Sequence, residues 1–352
     1  MSVSRMQSTP KIGLTLGKYA PFHKGHEYLI EQALQQVDTL YVMIYPTDVM
    51  SVPLKRRAAW ITVRFPQVRI IEAWGGPQSY GDTPAIKREQ EVYILEKTAG
   101  LGITHFFSSE FYGAHVSQAL GAHDVRIDEA RSVVPISATQ IRQDPYAHRA
   151  WMSPHVYRDL ITKVCFMGAP STGKSTLTQA MAAHCQTVFM PEYGATYWFE
   201  HQVDRRLSLE QFEEIAPEHV RQEQALLQDA RGYLFSDTCP ITTYVFAKDY
   251  HGTVGPQLDA YASRAEKDYD LFVVCDTDIP YTDTWDRSGD QKREWFQQQI
   301  LDDLHERRVP YLVVNGDLDS RIAQVSAVLR QFEKFAKRSE TVRASPEIIQ
   351  RR

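Results

Sequence analysis

Two stretches of this sequence carry residues whose types and spacing suit phosphate chemistry. The earlier one is Gly17-Lys18-Tyr19-Ala20-Pro21-Phe22-His23-Lys24-Gly25-His26. Gly25 lets a nucleotide lie on the backbone where a side chain would block it. His26, at the start of an expected helix, would donate to an α-phosphate with the helix dipole assisting, and His23 would stand over the same phosphates. Neither needs to be a nucleophile. Adenylyl transfer requires an attacking phosphate aligned with the α-phosphorus, and negative charge neutralised as pyrophosphate leaves. Two histidines this close can also be structural or metal-binding, but a turn rich in Pro and Gly suits an anion better. Gly17, Lys18 and Tyr19 share the turn and join His23, Gly25 and His26 as expected ATP contacts. A second piece, Ile136-Ser137-Ala138-Thr139-Gln140-Ile141-Arg142, adds Ser137 and Thr139 at a helix start, where hydroxyls cap the helix or donate to phosphate. Arg142 falls on the same face as Thr139 and can clamp β- and γ-oxygens.

The later stretch, Gly168-Ala169-Pro170-Ser171-Thr172-Gly173-Lys174-Ser175-Thr176, fits the P-loop pattern at every fixed position. Its backbone amides would wrap the phosphates of ATP, Lys174 would reach the β- and γ-phosphates, and the Ser175 hydroxyl would ligate Mg²⁺. Asp237 ends an apolar run, where a carboxylate holds Mg²⁺, accepts the proton of an attacking hydroxyl, or merely caps a helix. Glu192 is a second carboxylate on the same expected edge, or a solvated loop charge. Downstream, Asp283, Asp286, Arg287 and Arg293 form a charged stretch. Arg287 is the expected lid arginine for the transferring phosphoryl group; a salt-bridged surface loop is the plainer alternative.

The elements that must position these residues alternate in the manner of parallel α/β domains. Strands are expected at 11–17, 40–45, 68–74 and 104–109, with helices around Leu29–Val37 and over 55–64 and 85–98. A polar, aromatic stretch near residue 150, with Asp144-Pro145 and Ser153-Pro154, reads as a connector. A second series follows, with strands at 163–168, 187–190, 233–237, 271–276 and 310–315 and a helix at 174–184. The expected division is a nucleotidyltransferase-type domain over 1–155, a P-loop kinase-type domain over 160–337, and a polar tail over 338–352.

Composition fits two such domains. The chain has 352 residues, 43% hydrophobic and 24% charged, enough for two cores. Its net charge of −5 argues against a protein built to coat nucleic acid. No apolar run is long enough for a bilayer and the first residues lack a signal-peptide core, so no membrane partner and a cytoplasmic location are expected. Cys165, Cys185, Cys239 and Cys275 contain no CxxC pair and read as reduced thiols.

On these motifs the chain resembles the NadR-type bifunctional nicotinamide-nucleotide adenylyltransferase/ribosylnicotinamide kinases. His23–His26 matches the family's HxGH, and Ile136–Arg142 its ISxTxxR. Ser108-Ser109-Glu110 matches an SSE after a strand, and Arg57-Ala58-Ala59-Trp60-Ile61 an RxxWI helix. Glu192-Tyr193-Gly194 and Asp237-Thr238 match the kinase half. The resemblance implies a Rossmann-like domain followed by a P-loop kinase domain, Mg²⁺ with ATP as co-substrate, and ribosylnicotinamide, its mononucleotide and NAD as the other ligands. Arg57, Ser108, Glu110, Glu192 and Asp237 are the implied substrate contacts. Trp74 and Tyr80 are candidates for stacking on the nicotinamide ring, with a core role as the alternative. Two departures stand out. Only about ten residues precede the first strand, so the family's DNA-binding helix-turn-helix is not expected. Ala195 and Thr196 stand where the family has an arginine and a glutamate, which implies a weaker kinase or a shifted kinase substrate. A phosphopantetheine adenylyltransferase/dephospho-coenzyme A kinase fusion shares the layout, and an ATP- and NAD-sensing regulator without turnover is the non-enzymatic alternative. Homo-oligomerisation is left open.

Overall fold

The computed structural model describes residues 9–77, 83–110, 113–204, 206–281, 290–332 and 334–335. The chain divides into two units, residues 1–157 and 158–352. In the first, the elements are β1 (Ile12–Gly17), α1 (Lys24–Leu34), β2 (Thr39–Ile44), α2 (Leu54–Arg64), β3 (Arg69–Glu72), α3 (Pro84–Lys97), β4 (His105–Ser108), α4 (Gly113–Leu120), β5 (His123–Arg126) and α5 (Ala138–Gln143). A 3-10 turn (Arg149–Trp151) and α6 (Pro154–Leu160) follow. The strands pair in parallel in the order β3-β2-β1-β4-β5. Successive strands therefore build outward from β1 in one direction, then resume at β4 on its other side. That reversal opens a crevice at the carboxyl ends of β1 and β4, where doubly wound sheets bind ligands.

The helix after β1 starts earlier than its apolar stripe. Leu29, Ile30 and Ala33 are buried as their spacing requires, but α1 begins at Lys24 and ends before Val37. Strand β5 was not expected at all. Its sequence, His123-Asp124-Val125-Arg126, has no apolar run, because it is an edge strand that pairs only with β4. The stretch read as a connector is folded, and the division between the two units falls at its end. His155 Nε2 donates to Trp60 O at 3.0 Å, Ser153 Oγ donates to Glu27, and Val156 and Tyr157 are buried. The unit boundary falls inside α6.

The second unit contains β6 (Thr162–Met167), α7 (Lys174–His184), β7 (Phe189–Met190), α8 (Tyr193–His201), α9 (Leu209–Leu226), β8 (Tyr233–Asp237), α10 (Pro240–His251), α11 (Pro256–Asp268), β9 (Leu271–Cys275), α12 (Asp290–Glu306), β10 (Tyr311–Val314) and α13 (Leu318–Gln331). Its parallel order is β10-β9-β6-β8-β7. β6 is central, and all six of its residues are buried. Side chains from both of its faces enter hydrophobic clusters: Cys165 and Met167 pack with Phe296 and Ile300, Val164 and Phe166 with Leu177 and Val325. At its entry the Lys163 ammonium meets the fully buried Glu223 carboxylate at 2.6 Å and lies over the Tyr269 ring. All four cysteines are free, and burial raises the Cys275 thiol to about 11. Among the described residues, no helix is long and apolar enough to cross a membrane.

Candidate active sites

In the first unit, the loop after β1 turns directly into α1. His23 is the N-cap residue, with extended backbone, and its Nδ1 accepts the Gly25 amide at 3.0 Å. A neutral imidazole that accepts at Nδ1 carries its proton on Nε2, so His23 presents an N–H donor. A Cβ on Gly25 would lie 2.9 Å from His23 Cε1, which explains glycine there. The His23 and His26 rings stack with centroids 3.8 Å apart, and Tyr19 meets His26 edge-on. The Nδ1 of His26 is buried and has no hydrogen-bond partner among the described residues. Burial, with the positive Arg131 as a smaller cause, pushes His23 down to about 4. His26 is held well below its ordinary range by burial first, then His23 and Arg131. Both rings are therefore neutral donors at neutral pH rather than cations.

The second motif folds onto this turn. Ser137 opens α5 in a capping box: its Oγ accepts the Gln140 amide, and Gln140 Oε1 accepts the Ser137 amide at 2.9 Å. Arg142 reaches back across the chain, donating to Ala20 O at 2.7 Å and to Thr139 Oγ1 at 3.0 Å. The two separated motifs thus form one site. Ser108 is buried at the end of β4, and Glu110, just beyond it, pairs with Arg131 at 3.0 Å.

Arg57 departs from its expected role as a substrate contact. It is buried and donates to Val52 O at 3.1 Å, to Tyr45 O at 3.0 Å and to Lys18 O. Three carbonyls take up its fork, so it holds the Gly17–Tyr19 loop in place. Trp74 is 53% exposed, not a core residue, and its indole donates to Glu72. Tyr80 lies outside the described residues.

In the second unit, the P-loop joins β6 to α7. Gly168 has φ 139°, and a Cβ there would stand 2.8 Å from Cys275 O and from Thr172 Oγ1. Gly173, at φ 81°, caps α7 in the left-handed conformation. Side chains far along the sequence clamp the loop. Gln297 Oε1 accepts the Ala169 amide at 2.7 Å, Arg321 donates to Thr172 O at 2.6 Å, and Arg293 donates to Ser171 O at 3.0 Å. Lys174 Nζ donates to Ala169 O at 3.0 Å. Two of the expected ATP contacts have protein partners of their own. The Ala169 amide is engaged by Gln297, and Thr172 is fully buried with its hydroxyl on Ala169 O. Pro170, Ser171, Gly173, Lys174, Ser175 and Thr176 line a cavity of about 940 Å³.

Asp237 pairs in register with Phe166, just before the P-loop. It does not cap α10, whose N-cap is Cys239. It is buried, and its Oδ1 has no hydrogen-bond partner among the described residues. Burial raises its carboxyl above the ordinary value against the pull of Lys174 and the Ser175 hydroxyl. Glu192, at the start of α8, lines the cavity. So does Ala195, while Thr196 is exposed. Asp283, Asp286 and Arg287 lie outside the described residues. Sequence reasoning missed Arg131, Gln297 and Arg321. It also missed the aromatic wall of Trp198, Phe199, Phe246, Tyr250 and Trp295. None of these has a local motif; only the fold gathers them.

Comparison with known proteins agrees with this geometry. A family model described as an AAA domain matches residues 163–321, and one described as a citrate lyase ligase C-terminal domain matches residues 16–76. The trifunctional NAD biosynthesis/regulator protein NadR of Escherichia coli is 27% identical over 347 residues, covering 91% of this chain and 83% of that protein. Its Salmonella typhimurium counterpart is 26% identical over 344 residues, with the same coverage. The fold is similar to that of NadR solved in complex with NR, with a TM-score of 0.55 at 21% identity over 92% of this chain and 96% of that one. A NadR structure with NAD and AMP-PNP gives 0.52 at 21% identity, over 91% and 96%. Similar along both halves to these proteins, the chain has a nucleotidyltransferase-type unit followed by a P-loop kinase-type unit.

Proposed function

We propose that this enzyme makes NAD from ribosylnicotinamide in two ATP-consuming steps, one in each unit. The observation that carries the reading is that one chain holds two separate arrangements of different design, each suited to phosphate. One is a histidine turn tied to a capped helix by Arg142; the other is a clamped P-loop beside a buried carboxylate.

In the second unit, the 5′-hydroxyl of ribosylnicotinamide would attack the γ-phosphorus of ATP, with ADP leaving. Asp237 would take the hydroxyl proton, a role helped by a carboxyl raised above its ordinary value. Lys174 and the Gly168–Thr176 loop would hold the phosphates. Ser175 and the unpartnered Asp237 Oδ1 offer the hard oxygen donors that suit Mg²⁺, which when bound neutralises phosphate charge. The aromatic wall fits a flat, cationic pyridinium ring. Alanine at 195 gives the acceptor no directed donors, so acceptor alignment is where this kinase would differ from its relatives.

In the first unit, a phosphate oxygen of the mononucleotide would attack the α-phosphorus of a second ATP, forming NAD and releasing pyrophosphate. His23 and His26 would donate N–H groups to the α-phosphate as neutral rings, and Arg142 would face the β- and γ-phosphates. The test is product analysis of the purified chain with Mg²⁺-ATP and either ribosylnicotinamide or its mononucleotide. NAD and pyrophosphate from the mononucleotide, and ADP from the riboside, are expected. Turnover only with phosphopantetheine or dephospho-coenzyme A, or with no acceptor, would refute the reading.

A further inference from the structure

The transferase step, on the reading above, calls for more positive charge at its leaving group than the neutral histidines supply. When the bond between the α-phosphorus and the bridging oxygen breaks, its electron pair leaves on pyrophosphate, and charge there must be neutralised. His23 and His26 are neutral, and Arg57 is buried against three carbonyls. Arg142 gives one nitrogen to Ala20 O and another to Thr139 Oγ1.

Arg131 lies in the loop between β5 and α5, at φ 51°, a left-handed conformation that a side chain adopts only when its surroundings impose it. Asp128, itself at φ 49°, imposes it. Its Oδ1 accepts the amides of Ser132 at 2.7 Å and Val133 at 3.0 Å, and its Oδ2 accepts the Val134 amide at 2.9 Å. Its backbone carbonyl accepts the Arg131 amide at 2.8 Å. The loop is thus wound around one carboxylate, and it ends over the histidine turn: the Ile136 carbonyl lies 3.9 Å from where a Cβ on Gly25 would be. Arg131 pairs with Glu110 just past the carboxyl end of β4, and β4 lies beside β1, whose carboxyl end leads into the histidine turn, so the guanidinium stands at the same crevice. Among the described residues its carboxylate partner is Glu110, and the two side chains are 44% and 41% exposed. An ion pair that exposed is worth little, so phosphate can displace it.

We propose that Arg131 is a further catalytic residue of the transferase, leaving Glu110 to bind the β- and γ-phosphate oxygens of ATP that depart as pyrophosphate, and that Asp128 positions it. No proton moves to or from the guanidinium. It stays charged and neutralises the leaving group.

The test compares full-length parent, Arg131→Ala, Arg131→Lys, Asp128→Asn and the Asp128→Asn/Arg131→Ala pair in adenylylation of the mononucleotide and in pyrophosphorolysis of NAD. Arg131→Ala should lower adenylylation turnover about 100-fold or more. It should raise the KM for pyrophosphate in the reverse reaction while leaving the KM for the mononucleotide within about threefold. Arg131→Lys, which keeps a charge but not the fork, should recover part of the loss. Asp128→Asn should lower turnover in the parent but cost nothing further in Arg131→Ala, whereas a merely structural Asp128 would weaken both backgrounds alike. Unfolding midpoints and kinase turnover in the same samples check the fold. Adenylylation turnover and pyrophosphate KM within about threefold of the parent in Arg131→Ala would overturn the proposal alone. A parent that makes no NAD from the mononucleotide would overturn the transferase reading, and this inference with it.

Discussion

The buried histidine cap makes the first unit sensitive to acid, and the size of the effect follows from the structure. His23 titrates near 6.5 in a solvated chain but is pushed down to about 4 in the fold, chiefly by burial. Between those values the unfolded chain binds a proton that the folded chain excludes, so stability falls as pH falls from 6.5 towards 4 and levels off below. At about 1.36 kcal/mol per pH unit, the whole window costs about 3 kcal/mol, and reaching pH 5 costs about 2 kcal/mol. The perturbation is His23→Asn. Asparagine is a good N-cap that still accepts the Gly25 amide, and it does not titrate. Urea unfolding of both proteins at pH 7.5 and pH 5, followed by hydrogen exchange in peptides from residues 11–34, reads the difference. The parent should lose about 2 kcal/mol more than the variant on acidification. His26, lowered in the same direction, acts in both proteins and largely cancels. Parallel loss in parent and variant would show that the His23 ring is solvated in the fold and that the neutral-donor assignment is wrong.

Three other outcomes are expected. Lys174→Ala should abolish ribosylnicotinamide phosphorylation and spare adenylylation of the mononucleotide, and His26→Ala should do the reverse; chromatography of both products checks this, and loss of both activities in one folded variant would contradict two separate sites. Asp237→Asn should lower kinase turnover on the order of 100- to 10,000-fold with ATP affinity nearly unchanged, because its carboxylate is buried beside the P-loop and does not cap α10; steady-state kinetics with an ATP-binding titration would expose a purely structural role as a turnover within a few-fold of the parent. Glu223→Ala strands the buried Lys163 ammonium and should destabilise the second unit by about 3–5 kcal/mol in urea unfolding, whereas Lys163→Met with Glu223→Leu should recover most of it.

Some of this was legible in the sequence, for a definite reason. The P-loop and the histidine turn are contiguous, and the backbone paths they require demand glycine at particular places. A Cβ at Gly168 would strike a neighbouring carbonyl, and one at Gly25 would strike the capping histidine. The central strands were equally readable. β6 and β8 are covered on both faces, so each carries a continuous apolar run, Val164–Met167 and Tyr233–Phe235, and Tyr233–Asp237 has the bounds expected. An edge strand has no such requirement, which is why the polar β5 escaped notice.

Side-chain destinations were decided by tertiary structure alone. Arg57 and Arg142 are both arginines on helices, yet one is locked against three carbonyls while the other joins two motifs far apart in the chain. Gln297, Arg293 and Arg321 close around the P-loop from helices α12 and α13, and nothing in their local sequence announces it. The charge state of His23 is likewise a property of burial, not of residue type. Backbone conformation is governed by neighbours in sequence, so a contiguous motif carries it. The partner of a long side chain, and the solvent around an ionisable ring, are set by segments brought together only when the sheet has formed.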